Sequence, residues 1–370
     1  MEAVTAAFTP ERLISARKRA GISQARLASH IGISPRSIAN YEGGEHAPSE
    51  EVLQRLADAL DVPVSFFGAA PPDIIEPDAA SFRALSKMSA LKRDAALASG
   101  GLATELNDWL EARLRLPRVA VPRYARGARD PESCAQRLRL EWEMGYARVP
   151  NMVHLLEAHG ARVYSLPEDL TDTDAFSFWW RDVPFILLNT RKSAERGRFD
   201  AAHELGHLVM HADYDLPRGR EREFEANRFA AAFLMPEDDV LAAGLRHANA
   251  EQVIAAKSRW DVAATALAHR LHELGITSDW TYHSTFRRLS QLGYRSGEPD
   301  REGRPRETSQ ALEKAFALLR ERGIRPVDVA RELHVRPETL HQLLFGLVLT
   351  PMSGQSTARG GPRAGLRVVK

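Results

Sequence analysis

From residue 11 to residue 67, apolar positions recur at helical spacing and are separated by tight breaks. Ser23 and Ser34 stand where N-caps are expected, and Pro35 follows at a first helical position, where its missing N–H costs little. Gly32 ends the helix between the two serines. The pattern predicts short helices, two of which, joined by a tight turn, form the unit that sets a recognition helix into the DNA major groove. A helical bundle used only for protein contacts is the alternative.

The centre of the chain changes from helical to strand-like spacing and back. Helical patterns at about 79–116, 132–144 and 152–159 precede runs rich in β-branched and aromatic residues at 161–165, 176–180 and 184–189. These runs predict three short strands of a small antiparallel sheet. A further helical pattern, at 194–211, follows the last strand directly.

The helix predicted at 194–211 contains the residues His203-Glu204-Leu205-Gly206-His207. Because residues four apart share a helix face, His203 and His207 can bind one metal ion from adjacent turns. Glu204 lies beside them, where it can take a proton from the attacking water. The motif therefore predicts zinc-assisted amide hydrolysis. The alternative is a solvated helix face that carries two histidines by chance.

A zinc site of this kind needs a third protein ligand and leaves a fourth position for water. The segment 220–236, REREFEANRFAAAFLMP, predicts a neighbouring helix on which Glu225 is in line with Phe229 on the inward, apolar face. A carboxylate on that face is costly unless it meets a cation. We expect Glu225 to be the third ligand, with Glu221, one turn earlier, as the alternative. His211 extends the histidine face and is expected to be structural or to support a ligand.

The C-terminal part repeats the N-terminal helical pattern at a shift of 302 positions. At this shift Pro35 corresponds to Pro337, and the aliphatic core positions of the N-terminal segment correspond to aliphatic residues in the C-terminal segment. The repeat predicts the same three-helix geometry. The residues in the DNA-reading positions differ, and Leu343 and Leu344 make the end that should be exposed more apolar. We therefore favour a module used for dimerisation or docking over a second DNA reader.

Composition adds constraints on size, compartment and charge. A chain of 370 residues is expected to form two or three domains. Its single cysteine, Cys134, excludes an internal disulfide and suits a reducing cytosol. No apolar run is long enough to span a bilayer, so we expect a cytoplasmic protein without membrane partners. The net charge is +1, but residues 301–370 carry 13 Lys and Arg against 7 Asp and Glu, and the tail 351–370 is expected to be disordered.

The segment GISQARLASHIGISPRSIANYEGGEHAPSEEVLQRLADALDVP resembles the XRE (Cro-type repressor) helix-turn-helix family. The resemblance implies that a side chain at the start of the second helix touches the DNA backbone or a base. It also implies that side chains at the start of the third helix face base edges, where Arg can pair with guanine and Asn with adenine. The implied DNA-binding residues are Gln24, Ser34, Arg36, Ser37 and Asn40. Helix-turn-helix domains of this type usually bind paired half-sites, so a homodimer on double-stranded DNA is expected.

The block from FSFWWRDVPFILLNTRKSAERGRFDAAHELGHLVMH to EREFEANRFAAAFLMP resembles the ImmA/IrrE family of zinc metallopeptidases, over about 131–276. The resemblance implies that His203, His207 and Glu225 bind Zn²⁺ and that Glu204 is the catalytic base. The chain does not match the longer H-E-x-x-H-x-x-G-x-x-H pattern, which is a further reason to exclude His211 as a ligand.

We therefore expect a mainly α protein with a small α+β centre. The predicted parts are an XRE-type helix-turn-helix domain (1–68), a linker and helical connector (69–130), a zincin-like metallopeptidase domain (131–280), a helix-turn-helix-like helical module (281–350) and a basic tail (351–370).

The function favoured by these patterns is a DNA-binding transcriptional regulator that carries a zinc metalloendopeptidase. The family resemblance implies cleavage of a repressor-type protein, or of the chain itself, in response to a stress or mobile-element signal. One alternative is a transcription factor whose peptidase-like domain is a non-catalytic sensor of metal, ligand or partner. Another is an antitoxin or phage-defence component whose central domain binds a partner protein.

Overall fold

The N-terminal helices begin and end where the serine and glycine pattern predicts. The computed structural model describes residues 8–77, 80–82, 89–124, 130–167, 170, 175–212, 219–299, 305–345 and 367–368. Its first helices are α1 (Pro10–Arg19), α2 (Gln24–Ile31), α3 (Pro35–Glu42) and α4 (Glu50–Ala59), followed by a 3₁₀ turn at Val64–Gly68. The side-chain oxygens of Ser23 and Ser34 cap α2 and α3. The predicted helix-turn-helix is confirmed.

A long helix, α5 (Ala90–Glu111), connects the helix-turn-helix domain to the rest of the chain. It is shorter than the helix predicted at 79–116, because the chain forms a strand, β1 (Ala80–Phe82), before it and another, β2 (Leu114–Arg115), after it. The middle of α5 is buried, since α1 contacts one side of it and the central sheet contacts another. Gly100 permits the close contact with the sheet, because a Cβ there would lie 3.3 Å from the ring of Phe178.

The central sheet is mixed. Helices α6 (Pro131–Glu141) and α7 (Met152–Ala158) precede the strands β3 (Arg162–Ser165), β4 (Ala175–Trp180) and β5 (Val183–Leu188), and the strand order is β1-β4-β5-β3. The three predicted strands are confirmed, but β3 pairs in parallel with β5, so the sheet is not wholly antiparallel. The chain passes from β3 to the far side of β5, where it forms β4. Strand β5 then returns antiparallel to β4 and therefore runs in the same direction as its other neighbour, β3. Arg181 and Asp182 form the hairpin turn with φ of 46° and 62°.

The sheet separates two packed layers. Phe176 and Phe178 of β4 are buried toward α5, whereas Ser177 between them faces helix α8 (Ala194–Met210). This alternation follows from the two-residue period of a strand. Helix α9 (Arg220–Leu234) packs along α8 on the far side of the sheet. The same layer continues with α10 (Glu237–Ala242), α11 (Ala250–Ala256), α12 (Ala264–Glu273) and α13 (Asp279–Gln291).

The C-terminal helices occupy the positions that the repeat predicts. They are α14 (Gln310–Glu321), α15 (Pro326–Glu332) and α16 (Pro337–Leu343), and the last two begin 302 positions after α2 and α3. The prediction of an exposed apolar end is wrong, because Leu343 and Leu344 are 3% and 0% exposed. They are buried within the chain itself, where Phe345 N donates to Ser165 Oγ of β3 at 2.9 Å. The module is therefore docked on its own sheet.

The end of the chain contributes a strand, β6 (Arg367–Val368), that pairs antiparallel with β2. The rest of the tail that was predicted to be disordered, 351–366 and 369–370, lies outside the described residues. Within the part of the chain that the structure describes, no helix is long and apolar enough to cross a membrane.

Candidate metal centre and DNA-reading helix

Helix α8 brings the two histidines of the H-E-x-x-H motif together. Ser193 caps the helix by accepting a hydrogen bond from Arg196 N, so the helix runs regularly into the motif. The Nε2 atoms of His203 and His207 lie 3.0 Å apart, and both rings are buried. The predicted shared face is therefore present, and it points into the protein rather than into solvent.

The carboxylate that meets these histidines comes from Glu223 of α9. Its Oε2 lies 3.3 Å from His203 Nε2, and its Oε1 lies 3.4 Å from His207 Nε2. Among the described residues, His203, His207 and Glu223 are the group whose ligand atoms all fall within 4.8 Å of one another. The geometry thus brings together the two predicted histidines with a glutamate that the sequence reasoning did not choose.

Glu225, the expected third ligand, occupies a different position. Its Oε2 lies 2.8 Å from Nε2 of His211, and Nδ1 of His211 lies 3.0 Å from Nδ1 of His207. Two residues along an α-helix turn a side chain by roughly 200°, so Glu223 and Glu225 cannot face the same point. Glu225 therefore supports the site through His211, and the alternative ligand Glu221 is not in the cluster.

A local signal for Glu223 was present in the sequence. Asn227 follows it by four residues and therefore shares its helix face. In the structure Asn227 Oδ1 lies 3.1 Å from Nδ1 of His203. A carboxylate and an amide at this spacing, on a helix that packs against the motif helix, mark the face that meets the histidines.

The hydrogen bonds define which nitrogen of each ring carries a proton. Asn227 Oδ1 accepts from Nδ1 of His203, which leaves the lone pair of its Nε2 directed at Glu223. Glu225 accepts from Nε2 of His211, so Nδ1 of that ring is free to accept from Nδ1 of His207. Two imidazole lone pairs and one carboxylate then converge, and such acceptors repel one another unless a cation lies between them.

The electrostatics of the cluster favour a neutral His207 and an ionised Glu223. Burial lowers the pKa of His207 well below its ordinary value, which keeps the ring neutral. Burial raises the pKa of Glu223, but hydrogen bonds and positive charge from the adjacent histidine rings, in the form that carries a proton on Nε2, lower that pKa to about 2. Neutral imidazole and ionised carboxylate are the forms that bind zinc, so the donor set fits this metal.

Ser177 holds the motif glutamate from the sheet. The Ser177 hydroxyl donates to Glu204 Oε2 at 2.7 Å, and it also lies 3.3 Å from the backbone oxygen of Glu204. Both side chains are buried. Sequence reasoning missed Ser177, although a polar residue between Phe176 and Phe178 in a buried strand was a signal that its hydroxyl has a polar partner.

Arg222 adds positive charge beside these carboxylates. Burial lowers the pKa of its guanidinium, and the charges of Glu204 and Glu223 act in the opposite direction. The side chain therefore lies within electrostatic range of both the candidate base and the candidate ligand. No sequence pattern singled it out.

Helix α3 carries Arg36, Ser37 and Asn40, three of the DNA contacts that the XRE resemblance implies. Arg36 is exposed at its start, and Ser37 and Asn40 are half-buried. Ser34 is occupied by capping, since its Oγ accepts from Ser37 N at 3.1 Å. Its role as a DNA contact therefore competes with its role as a cap.

Gln24, the remaining predicted contact, connects the two helices of the motif. Its Nε2 donates to Glu42 Oε2 at 2.7 Å, and Arg17 Nη2 donates to the same oxygen at 2.9 Å. The start of α2 is thus tied to the end of α3. Part of the hydrogen-bonding capacity of Gln24 is used within the protein.

Comparisons with known proteins agree with both parts of the chain. A model of the IrrE N-terminal-like domain, of the peptidase M78 type, matches residues 156–272. A helix-turn-helix model matches residues 13–67. The cryptic phage CTXphi transcriptional repressor RstR of Vibrio cholerae serotype O1 is 44% identical over 54 residues, which is 15% of this chain and 48% of the repressor. The chain thus spans about half the length of this curated relative. The protein therefore carries an XRE-type helix-turn-helix DNA-binding domain at its N-terminus and an IrrE-like, metallopeptidase-like domain of the M78 type in its centre.

Proposed function

We propose that this protein is a transcriptional regulator that binds a double-stranded DNA operator and carries a working zinc metalloendopeptidase. Its substrate would be a repressor-type protein or the chain itself, cleaved in response to a stress or mobile-element signal. We include a homodimer in the proposal, because helix-turn-helix readers usually bind paired half-sites. The observation that carries the enzymatic part is the convergence of His203, His207 and Glu223 beside Glu204.

The donor set is the support for zinc. Two imidazole nitrogens and a carboxylate are the protein ligands of many catalytic zinc sites, which keep one position open. The Nδ1 atoms of both histidines are engaged by Asn227 and His211, so the Nε2 atoms are left to bind a metal. Such outer contacts fix ring orientation and ligand basicity. We therefore assign Glu223 as the third ligand in place of Glu225.

The mechanism follows from the residues around this cluster. Zinc, once bound, supplies a Lewis acid that polarises a peptide carbonyl and lowers the pKa of a water molecule. Glu204 takes the proton from the attacking water and later delivers it to the leaving amine. Ser177 holds the Glu204 carboxylate in position for both transfers.

The test compares the wild-type chain with Glu204→Gln. Each zinc-loaded protein is incubated with a library of peptides derived from a bacterial proteome, and new N-termini are identified by mass spectrometry in the library and in the chain itself. The proposal predicts new N-termini with the wild type and none with Glu204→Gln, while zinc content and DNA binding are equal in both. Identical peptide patterns for the two proteins would overturn the enzymatic part and leave the central domain as a sensor.

A further inference from the structure

The strand β1 belongs to the central sheet but comes from outside the region that matches the IrrE N-terminal-like domain. The match to the IrrE N-terminal-like domain begins at residue 156, so it includes β3, β4 and β5. β1 (Ala80–Phe82) comes instead from the connection between the 3₁₀ turn that ends at Gly68 and helix α5. The edge of the domain's own sheet at β4 is therefore covered by a segment from outside the matched region.

This strand lies next to the candidate catalytic base. β1 runs antiparallel to β4, and the Cα of Ser81 pairs with the Cα of Ser177. Ser177 is the residue whose hydroxyl donates to Glu204 Oε2 at 2.7 Å. Because neighbouring strands are about 4.8 Å apart, the backbone of β1 passes directly beside the strand that positions the base.

An uncovered edge at β4 would bind an extended peptide. Its unpaired N–H and C=O groups form a template for one more strand, and strand addition of this kind is a common mode of peptide recognition. A peptide bound there would run past Glu204 in the place that β1 now occupies. With three residues, β1 is at the short end for a strand, so its exchange against another segment has a modest energetic cost.

The segment that leads to β1 is held by the helix-turn-helix domain and by α5. Arg12 of α1 donates through Nε to the backbone oxygen of Ala70 at 2.6 Å, and its Nη1 lies 3.0 Å from both carboxylate oxygens of Glu105 on α5. Further along, Asp73 lies so close to α5 that a Cβ on Gly101 would be 2.5 Å from its backbone oxygen. The contacts of α1 and α5 thus hold the linker at Ala70 and Asp73, ahead of β1.

We propose that the β4 edge is the binding site for an extended peptide substrate and that β1 competes with the substrate for this edge in the resting chain, so that β1 weakens peptide binding without abolishing cleavage. The identification of the bound peptide as a substrate rests on the proposed peptidase function. The exchange of β1 for another strand at the edge can be measured without any cleavage. A shift of the helix-turn-helix domain on α5 would move the start of the linker and free the edge. Access to the catalytic site would then depend on the state of the DNA-binding domain.

The test uses the full chain in the presence of a metal chelator, so that no cleavage can occur. The probe is a fluorescent peptide with the sequence of residues 76–86, EPDAASFRALS, and a scrambled peptide is the control. Proline is introduced separately as Ala80→Pro and Ser81→Pro. In an antiparallel pair successive N–H groups point alternately toward the neighbouring strand and away from it, so one substitution removes a ladder hydrogen bond and the other is its matched control. Hydrogen exchange of the β4 amides identifies which of the two proline variants has lost a ladder hydrogen bond.

The proposal predicts that the ladder-breaking variant loses protection of the β4 amides and binds the probe at least tenfold more tightly than the wild type. The other proline variant should bind like the wild type, and the scrambled peptide should bind to none of them. Equal binding by all three proteins would overturn the proposal. The proposal would also be overturned if a variant whose β4 amides have lost protection did not bind the probe, or if protection were unchanged in both proline variants. Because the chelated chain is used, a lack of peptidase activity leaves this result unaffected.

Discussion

Gly206 of the motif helix lies against the ring of Phe229 on α9, and a Cβ at this glycine would be 2.9 Å from Phe229 Cδ1. Phe229 is fully buried, and its ring stacks on that of Phe233 with the centroids 5.8 Å apart. The glycine is what allows α9 to approach α8 closely enough for Glu223 to reach the two histidines. The spacing of the metal cluster therefore depends on a residue that binds nothing itself.

We expect Gly206→Ala to separate the two helices. Overpacking of this kind typically costs about 1–3 kcal/mol of folding free energy, and zinc affinity should fall as Glu223 moves away. Gly197→Ala is the matched control on the same helix, because no atom lies within 4 Å of its Cβ position. It should be neutral or stabilising by up to about 1 kcal/mol. The measurements are the free energy of unfolding in urea and the zinc affinity of both variants. A Gly206→Ala protein with the same stability and zinc affinity as Gly197→Ala would contradict the packing argument.

Ser177→Ala should lower turnover without lowering zinc content. The hydroxyl is the group that orients Glu204, and misplacement of a catalytic group by a fraction of an ångström to 1 Å can cost about tenfold to hundredfold in rate. Ser177→Thr keeps the hydroxyl and should recover part of the lost rate. The measurements are kcat on a cleaved peptide and zinc per chain. A Ser177→Ala protein with normal kcat would show that Glu204 does not depend on this contact.

The docking of the C-terminal module should weaken as the pH rises. Glu157 of α7 is 2% exposed, and it accepts from the backbone N–H groups of Gln310 and Ala311 at 3.0 Å each. Burial raises the pKa of Glu157 from 4.5 to about 7, so folding takes up a proton between these values. Stability from this group is present below the lower value and is lost as the pH rises through the upper one, by at most about 1.4 kcal/mol per pH unit.

Glu157→Gln isolates this effect because it removes the titration while keeping the size of the side chain. Unfolding free energies at pH 5.5 and pH 8 should therefore differ less for Glu157→Gln than for the wild type. The same pH dependence in both proteins would show that other groups account for it.

Specific DNA binding should depend on Arg36 and not on its counterpart in the C-terminal module. Arg36 is exposed at the start of α3, and a lost bidentate contact to a base costs about 1–3 kcal/mol. The residue 302 positions later is Glu338, also exposed, which cannot pair with guanine in that way. An operator selected from random duplexes supplies the probe for fluorescence anisotropy at fixed salt. Arg36→Ala should weaken binding about tenfold to hundredfold, whereas a similar loss with Glu338→Ala would make the C-terminal module a second reader.

The helix-turn-helix could be predicted nearly to the residue because its signals are local. Ser23 and Ser34 cap the helices that they precede, and Gly32 ends α2 in a left-handed conformation with φ of 71°. Helical spacing, which is also a local signal, predicted that His203 and His207 share one helix face. It also located the helices of the C-terminal repeat, since Pro326 and Pro337 both open helices.

Contacts between distant segments could not be predicted in this way. The choice between Glu223 and Glu225 depends on how α9 crosses α8, which the spacing within α9 alone does not determine. The burial of Leu343 and Leu344 depends on a sheet about 180 residues earlier, as the bond from Phe345 N to Ser165 Oγ shows. The pairing of β1 with β4 likewise has no local signal, because a three-residue strand carries too little pattern to indicate its partner.

The most direct test of the account is the zinc content of the purified chain beside three variants, His203→Ala, Glu223→Gln and Glu225→Gln. We predict about one zinc per chain in the wild type and none in the first two variants. Glu225→Gln should still bind zinc, about 10–100-fold more weakly, because it supports His207 only through His211. Zinc retained in Glu223→Gln and lost in Glu225→Gln would contradict the assigned ligand, and a wild type that binds no zinc even after its addition would contradict the metal site itself.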